Sequence, residues 1–434
     1  MNQVIVLWPG GGVDASIRPP GSKSITNRAL VCAALGHGHS RLQHVLDSED
    51  TQVMIAAWKR LGVAIEHDRA TATVEVEGCD GVLPTDAAEL FVANSGTTIR
   101  FLTAALAACH GQFSLDGVAR MRQRPIGDLL SALNQLGAQV TSLNHEHAQC
   151  PPVQVIAKGL EGGSAAVAGN LSSQFLSALM MAAPLARHDV TLSVTGELVS
   201  VPYVRMTAEV MRAFDVDVEL ELPHRIHVPA PQRYRGTTFR IEPDASAASY
   251  FWAAAAITGG RARVEGLHRH SLQGDVGFCH CLEAMGCTVH WYPDAVEVIG
   301  PARRGIDVDM ADISDTVQTL AAVSLFVDGP TTVRGVAHNR VKETDRIADL
   351  ATELRKLGAE VEEFEDGLRI IPPEQVSPAE IETYNDHRMA MSLALVGLRV
   401  PGVAIRDPDC TAKTYPHYWE DLQAFSGCRI ERRE

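Results

Sequence analysis

The sequence Leu354-Arg355-Lys356-Leu357-Gly358-Ala359 ends an amphipathic helical pattern with a glycine and leads into a short strand pattern. This helix–glycine–strand pattern recurs five more times along the chain, three times clearly and twice in blurred form. The residues at the marker position are Gly62, Gly137, Asp215, Gly286, Gly358 and Gly427, so neighbouring copies lie 69 to 78 residues apart. A nearly constant period of this kind indicates that one supersecondary unit is repeated.

A second pattern repeats in phase with the first. Helices rich in Ala, Leu and Met are predicted to start near Ser24, Ser95, Ser172, Ser246, Asp315 and Asp386. Each start carries a serine or aspartate suited to N-capping, and the helices are almost wholly apolar, which is typical of helices buried inside a fold. The two patterns together predict six small α/β units, each with two helices and several short strands.

The composition is that of a soluble globular protein of two or three domains, with 434 residues, 46% of them hydrophobic and 21% charged. A net charge of −15 opposes bulk binding to nucleic acid or to anionic membranes. The first residues lack the basic region of a signal peptide, and no apolar run approaches the ~18 residues of a membrane span. We therefore expect a cytoplasmic protein that binds neither nucleic acid nor membranes.

The nine cysteines are scattered and include no Cys-x-x-Cys motif. Cys279-His280-Cys281 could suggest a metal site, but two helical residues two positions apart point about 200° away from each other and cannot share an ion. We expect buried free thiols and no metal.

The stretch Pro20-Gly21-Ser22-Lys23-Ser24-Ile25-Thr26-Asn27-Arg28 opens the first apolar helix, which Gly36 should end. Ser22 or Ser24 can cap this helix, Lys23 lies just before its first turn, and Ser24 and Arg28 share one face. A lysine, a hydroxyl and an arginine at a helix N-terminus make an anion site, because the free N–H groups point to the same place. The alternative is an ordinary capped helix with solvated charges.

Other helix starts also carry polar or basic residues. In Asn94–Arg100, Gly96 lets a ligand approach the backbone, and a proline-stiffened turn holds Arg124. The later stretches are Ser172-Ser173-Gln174, Ser200-Val201-Pro202-Tyr203, Arg340–Arg346, Asp386-His387-Arg388 and Thr411-Ala412-Lys413. Each alone is more often a cap or a surface charge. Their recurrence at most of the six starts in an acidic protein favours anion binding.

Taken in order, these stretches resemble the 5-enolpyruvylshikimate-3-phosphate synthases of the enolpyruvyl transferase family, nearly from end to end. The resemblance implies transfer of the enolpyruvyl group of phosphoenolpyruvate to the 5-hydroxyl of shikimate 3-phosphate, with release of phosphate and without a cofactor. It implies an α/β fold of two similar globular domains, each of three βαβαββ units in an inverted α/β-barrel-like arrangement. One domain would be 22–241, the other would join 1–21 to 242–434, and a monomer would bind its substrates in the cleft between them.

The resemblance also assigns residues to the substrates. Shikimate 3-phosphate would contact Lys23, Ser24, Arg28, Ser172, Ser173, Gln174, Ser200, Tyr203, Asp315, His338 and Lys342. Phosphoenolpyruvate would contact Lys23, Gly96, Arg124, Gln174, Arg346, Arg388 and Lys413. The reaction needs one proton removed from the hydroxyl and one added to the methylene carbon. Asp315 is assigned to the hydroxyl and Glu343 to the methylene carbon, with Lys342 and Lys23 as further catalytic candidates.

Three positions depart from the family pattern. His338 stands where many relatives carry Asn, Val201 replaces a basic residue, and Phe101 replaces a frequent Pro. Two alternatives stay open. A UDP-N-acetylglucosamine enolpyruvyl transferase would carry a loop cysteine and a Lys-Asn pair, whereas Ser24 follows Lys23 here. A non-catalytic protein that binds phosphorylated metabolites would not need the two carboxylates.

Overall fold

The computed structural model describes residues 3–170 and 172–433. Its α-helices are α1 (Lys23–Leu35), α2 (Glu49–Arg60), α3 (Gly96–Ala108), α4 (Gly127–Gln135), α5 (Ser173–Ala182), α6 (Val201–Ala213), α7 (Ala245–Thr258), α8 (Phe278–Ala284), α9 (Val317–Ser324), α10 (Ala348–Lys356), α11 (His387–Ala394) and α12 (Tyr418–Ser426). Short 3₁₀ turns lie at Met121–Gln123, Ala183–Leu185, Gly274–Gly277, Ala311–Thr316, Ala337–Val341, Leu395–Leu398 and Pro408–Lys413.

The strands are β1 (Val4–Trp8), β2 (Asp14–Ile17), β3 (His37–Gln43), β4 (Ala64–Asp68), β5 (Thr73–Cys79), β6 (Ala87–Phe91), β7 (His110–Asp116), β8 (Gln139–Ser142), β9 (Val153–Lys158), β10 (Gly163–Ala168), β11 (Val190–Thr195), β12 (Glu219–Glu221), β13 (Arg225–Val228), β14 (Thr238–Arg240), β15 (Arg261–Glu265), β16 (Thr288–Tyr292), β17 (Ala295–Ile299), β18 (Asp307–Asp309), β19 (Thr331–Arg334), β20 (Glu360–Phe364), β21 (Gly367–Ile371), β22 (Glu380–Ile381), β23 (Val403–Arg406) and β24 (Arg429–Arg433).

Within the described residues these strands form six four-stranded sheets of one design. The strand orders are β14-β3-β5-β4, β6-β7-β9-β8, β10-β11-β13-β12, β2-β15-β17-β16, β18-β19-β21-β20 and β22-β23-β1-β24. In each sheet the first pair is parallel and the other two pairs are antiparallel. The α/β architecture of repeated units predicted from the period is therefore confirmed.

The repeat marker has a common backbone conformation. All six marker residues have a positive φ, between +66° and +105°, and they lie one or two residues after the ends of α2, α4, α6, α8, α10 and α12. This left-handed region favours glycine, which five of the six copies use. In the third copy this conformation, with φ 67°, is adopted by Asp215 in place of glycine, so the glycine of the pattern is missing there.

The other six helices, α1, α3, α5, α7, α9 and α11, are the apolar helices, and one lies in the interior of each unit. In α7 every residue from Ala245 to Ile257 is buried, and in α3 the whole helix is buried. The N-caps that accept a backbone N–H are Ser22, Ser95, Ser172, Asp244 and Asp386. The cap of α1 is thus Ser22 and not Ser24, and Lys23 is the first helical residue. Helix α9 begins at Val317, so the predicted start near Asp315 is confirmed, but Asp315 lies in the preceding 3₁₀ turn and does not cap the helix, whose N-cap is Thr316.

The end of α1 depends on a close approach of two backbone segments. The helix stops at Gly36 as expected, but Gly36 has φ −75° and ψ 172°, so it is extended and not left-handed. Strand β5 passes directly over this point, and a Cβ atom on Gly78 would lie 2.2 Å from the Gly36 carbonyl oxygen. Gly78 is therefore needed for space, whereas a Cβ atom on Gly36 would lie 3.0 Å from the nearest atom, the Cys32 carbonyl oxygen.

The chain divides into two compact units, Met1–Pro20 with Glu242–Glu434, and Gly21–Ile241. The first boundary, after Pro20, lies one residue before the expected one, and the second lies between Ile241 and Glu242. Each unit holds three of the sheets and six of the described helices. Two strands pair with a sheet that is distant from them in sequence. Strand β2 comes just before α1 but pairs with β15, and β14 comes just before α7 but pairs with β3. Among the described residues, no helix is long and apolar enough to cross a membrane.

We expect Gly78→Ala to lower the free energy of unfolding by about 1–3 kcal/mol, because the added methyl group meets a backbone carbonyl that cannot rotate away. Gly12→Ala is the matched control, since no atom lies within 4 Å of a Cβ there. Urea denaturation followed by circular dichroism measures both midpoints. Equal midpoints for the two variants would contradict the proposed packing of β5 on α1.

Candidate active site

In the unit that contains residues 242–434, Asp315 lies at the centre of a cluster of charged side chains. Its Oδ1 accepts from Lys342 Nζ at 2.7 Å and from Arg346 at 3.2 Å. Its Oδ2 accepts from Arg388 at 2.6 Å. Three basic side chains that the sequence analysis assigned to substrates therefore meet on one carboxylate.

These cations set the charge state of Asp315. Burial alone would raise the pKa of Asp315, but Arg388, Lys342 and Arg346 hold it well below its usual range. Burial lowers the pKa of Lys342, although Asp315 opposes this, and Arg346 and Arg388 act in the same direction as burial. Asp315 is thus ionised and, while three cations contact it, a weak proton acceptor.

Arg346 connects Asp315 to two further carboxylates. It bonds to Asp386 through two nitrogens, at 2.6 and 3.1 Å, and to Glu343 Oε2 at 2.9 Å. The other oxygen of Glu343 accepts from Lys413 Nζ at 2.9 Å. The side chain of Arg346 is only 2% exposed, so its charge depends on these partners.

The fold supplies this cluster from four segments that precede or begin helices. Asp315 lies in the turn before α9, and Lys342, Glu343 and Arg346 lie just before α10. Arg388 is the second residue of α11, whose N-cap is Asp386. Lys413 ends the last 3₁₀ turn. The arrangement joins four cations to three carboxylates, and the N-terminus of α11 adds a positive dipole end.

A histidine lies beside Lys342. His338 is 7% exposed, and its Nε2 lies 2.9 Å from Ser314 Oγ, which also accepts from Lys342 Nζ at 3.1 Å. Burial, together with the charge of Lys342, lowers the pKa of His338 to about 3. The imidazole is therefore neutral at physiological pH.

A further buried carboxylate lies near this cluster. Asp275 accepts a hydrogen bond from Ser246 at the start of α7. Burial raises the pKa of Asp275 to about 6, and the charge of Asp315 acts in the same direction. Tyr250, one turn further along α7, lies 3.4 Å from Arg388.

In the unit of residues 21–241, the two basic residues predicted for the start of α1, Lys23 and Arg28, lie in different surroundings. Lys23 pairs with Asp50 of α2 at 3.2 Å, at the start of α1. Arg28 is buried, and it donates to Ser24 O at 2.8 Å, Thr207 Oγ1 at 2.7 Å and Ser177 Oγ at 3.0 Å. Burial lowers its pKa to about 10. Arg28 thus ties α1 to α5 and α6, which differs from the predicted place beside Lys23 at the helix N-terminus.

Gly96 and Arg124 depend on each other. Arg124 is buried and donates to the Asn94 carbonyl at 3.1 Å. A Cβ atom on Gly96 would lie 2.6 Å from a guanidinium nitrogen of Arg124. The absence of a side chain at Gly96 therefore allows the guanidinium to lie against the first turn of α3.

The predicted polar residues of the third repeat lie at the starts of α5 and α6. Arg100 donates to Gln174 Oε1 at 2.6 Å and to Ser172 Oγ at 3.5 Å, and Ser173 is the first residue of α5. Ser200 has φ 57° and directly precedes α6, which carries Tyr203 in its first turn. Arg100 therefore orients the serine and glutamine that the resemblance assigned to substrate.

Several residues of these clusters were not assigned by the sequence analysis. Asn94 and Arg100 lie inside a quoted stretch, so a closer reading of that stretch could have found them. Asp50, Asp275 and Ser314 belong to no motif, and only their contacts reveal them.

We expect Asp386→Asn to lower the free energy of unfolding by about 3 kcal/mol, because it leaves the buried guanidinium of Arg346 short of one charged partner. Asp307→Asn is the control, since Asp307 forms the same kind of pair with Arg334 at 3.0 Å but is 60% exposed. Exposed pairs contribute little to stability. Thermal and urea unfolding should show a large shift for the first variant and almost none for the second. Equal shifts would contradict the role given to burial.

Comparison with known proteins gives a single family. Residues 8–422 match the family model of EPSP synthase (3-phosphoshikimate 1-carboxyvinyltransferase). The chain is 49% identical over 409 residues to 3-phosphoshikimate 1-carboxyvinyltransferase of Nostoc punctiforme, covering 94% of this chain and 95% of that one. It is 47% identical over 441 residues to the chloroplastic protein of that name from Brassica napus, covering 97% and 85%.

Solved structures agree with the sequence relatives. EPSP synthase from Acinetobacter baumannii matches with a TM-score of 0.84 at 26% identity, over 100% of both chains. The enolpyruvyl transferase NikO from Streptomyces tendae, at 20% identity and a TM-score of 0.80 over 99% of both chains, shares the fold. From its sequence relatives and its fold, the chain belongs to the EPSP synthase family.

Proposed function

We propose that the residues assigned to the substrates above carry out the reaction of this family. Family membership makes the chain an enolpyruvyl transferase of the shikimate pathway to aromatic amino acids. The alternative acceptor, UDP-N-acetylglucosamine, has no support among these relatives. The observation that carries the proposal is the contact of four cations with Asp315 and Glu343, since a protein that only binds anions has no need of two carboxylates there.

Phosphoenolpyruvate would bind to Lys23, Gly96, Arg124, Gln174, Arg346, Arg388 and Lys413. In the structure, Arg346, Arg388 and Lys413 are paired with Asp315 and Glu343. We propose that the carboxylate and phosphate groups of the substrate replace these protein carboxylates as partners. Loss of nearby positive charge raises the pKa of a carboxylate. Substrate binding would therefore make Asp315 a stronger base at the moment when a base is needed.

Shikimate 3-phosphate would bind to Lys23, Ser24, Arg28, Ser172, Ser173, Gln174, Ser200, Tyr203, Asp315, His338 and Lys342. The phosphate would lie near the start of α5, where the positive end of the helix dipole favours an anion. Arg28 would lie beside this substrate, since its guanidinium holds the Ser24 carbonyl and lies over the Tyr203 ring at 5.8 Å.

The chemistry would be an addition followed by an elimination. Asp315, with Lys342 beside it, would take the proton of the 5-hydroxyl as that oxygen attacks C2 of phosphoenolpyruvate, and Glu343 would protonate C3. If Lys413 and Arg346 pair with the substrate phosphate instead of with Glu343, both oxygens of Glu343 become free for this step. Phosphate would then leave as Glu343 takes back one proton from the new methyl group, and the remaining basic residues, Lys23 among them, would assist its departure. We propose a cytoplasmic monomer that needs no metal or organic cofactor.

Phosphate release tests the reaction type. We expect release of inorganic phosphate only when phosphoenolpyruvate and shikimate 3-phosphate are present together, because each substrate alone lacks its reaction partner. The measurement is a phosphate assay with each substrate alone, with both, and with UDP-N-acetylglucosamine as the second substrate. Release with the nucleotide sugar, or no release with any pair, would contradict the proposal.

We expect Glu343→Gln to slow turnover by roughly 10²–10⁴-fold, because an amide cannot deliver the proton to C3. In heavy water the wild-type protein should place deuterium in the enolpyruvyl methylene group of the product, since the intermediate carries a methyl group that rotates. Mass spectrometry measures the label, and exposed Glu362→Gln is the control.

Two results would contradict parts of this mechanism. Product formed at full rate without deuterium would exclude addition and elimination. Normal turnover of Glu343→Gln would leave the reaction in place and move the proton donor to Lys23 or Lys342.

A further inference from the structure

The Ser314 hydroxyl lies between two residues of the proposed site. Ser314 is 2% exposed and belongs to the same 3₁₀ turn as Asp315. Its Oγ lies 3.1 Å from Lys342 Nζ and 2.9 Å from His338 Nε2, and Lys342 also reaches Asp315 at 2.7 Å. The Ser314 carbonyl accepts from Asn339 Nδ2 at 3.1 Å. One residue therefore joins the turn of Asp315 to the segment that carries His338 and Lys342.

The number of hydrogens available fixes the direction of these bonds. An ammonium group only donates, so Ser314 Oγ accepts from Lys342. The hydroxyl has one hydrogen of its own, and a buried hydroxyl hydrogen needs an acceptor. Within residues 3–170 and 172–433, the acceptor that Ser314 Oγ contacts is His338 Nε2. A donor at Nε2 would instead leave the serine hydrogen without a partner.

The imidazole must then carry its hydrogen on the other nitrogen. The low pKa of His338 keeps the ring neutral, and a neutral ring has one N–H group. Since Nε2 accepts, Nδ1 is the protonated atom. Nδ1 is buried and has no hydrogen-bond partner among the described residues, so its N–H remains available to an oxygen of a bound molecule.

We propose that Ser314 is a positioning residue that fixes His338 as the Nδ1–H tautomer and holds the Lys342 ammonium against Asp315. His338 would then donate to a substrate oxygen, as a hydrogen-bond donor without charge. The part that concerns substrate and turnover rests on the proposed function. The tautomer follows from the contacts of the protein alone.

The Ser314 hydroxyl also affects the protonation of Lys342. The charged and titratable groups that face Lys342 are Asp315, Arg346, Arg388 and His338. A hydrogen bond accepted from the ammonium favours the charged form, so its loss lowers the pKa of Lys342 further. In Ser314→Ala, a pH–rate profile that requires protonated Lys342 should therefore lose activity at a lower pH than in the wild type.

Nitrogen NMR of protein labelled with ¹⁵N in the histidine rings tests the tautomer directly. The His338 signals are assigned by their loss in His338→Asn. We expect a protonated Nδ1 and a bare Nε2 in the wild type. In Ser314→Ala the donor to Nε2 is gone, so protonation should move toward Nε2, whereas Ser314→Thr keeps the hydroxyl and should keep the wild-type tautomer.

Kinetics test the positioning role. We expect Ser314→Ala to lower kcat roughly tenfold and to shift the alkaline limb of its pH profile downward. Ser324→Ala is the matched control, because Ser324 is buried in α9 and donates only to the Ala321 carbonyl, at 2.7 Å.

Two results would overturn the inference: a wild-type His338 protonated on Nε2, or a Ser314→Ala protein with the wild-type ring signals and pH profile. The ring signals need no turnover, so failure of the proposed reaction would be seen separately from failure of this inference.

Discussion

The site in residues 242–434 depends on the buried guanidinium of Arg346. Its nitrogens contact Asp386, Asp315 and Glu343, which come from three separate segments of the chain. A buried charge is tolerated only when it is paired and hydrogen-bonded, so these carboxylates must be present for Arg346 to be there at all. The same bonds fix the directions in which Asp315 and Glu343 present their remaining surfaces. Stability and the geometry of the proposed catalytic groups therefore have one origin in this unit.

Much of the fold could be predicted because its requirements are local. A positive φ after each amphipathic helix calls for glycine, and a buried helix calls for apolar residues on all sides, so both leave a periodic trace in the sequence. The errors concern contacts between distant residues. Nothing near Arg28 indicates that its guanidinium bonds to Thr207, 179 positions away, and the space above Gly36 is filled by Gly78 of strand β5, 42 positions later. The sequence predicted the units, but not how their helices would use individual polar side chains.

The candidate site also has a part that could be predicted from the sequence and a part that could not. Its basic residues could be found because they stand at helix starts, where anion binding has a local physical cause. The residues that contact or lie near them could not be predicted, since Asp50, Asp275 and Ser314 approach the site only in the folded structure. Ser314 illustrates this best, because its contacts with His338 and Lys342 span 24 and 28 residues. Nor could the sequence indicate that Asp315, assigned as a base, contacts three basic side chains that lower its pKa.

That arrangement bears on selectivity as well as on acidity. A site of bare cations would attract any small anion, even in a protein of net charge −15. Here Asp315 and Glu343 already occupy Arg346, Arg388 and Lys413, so an incoming anion must replace good partners with equally good ones. A single phosphate can replace one of them, whereas a ligand with a carboxylate and a phosphate at the right separation can replace both at once. In the proposed mechanism, competition from the protein's own carboxylates would select against wrong ligands. Asp315 would become free to act as a base only when the correct ligand has completed the exchange.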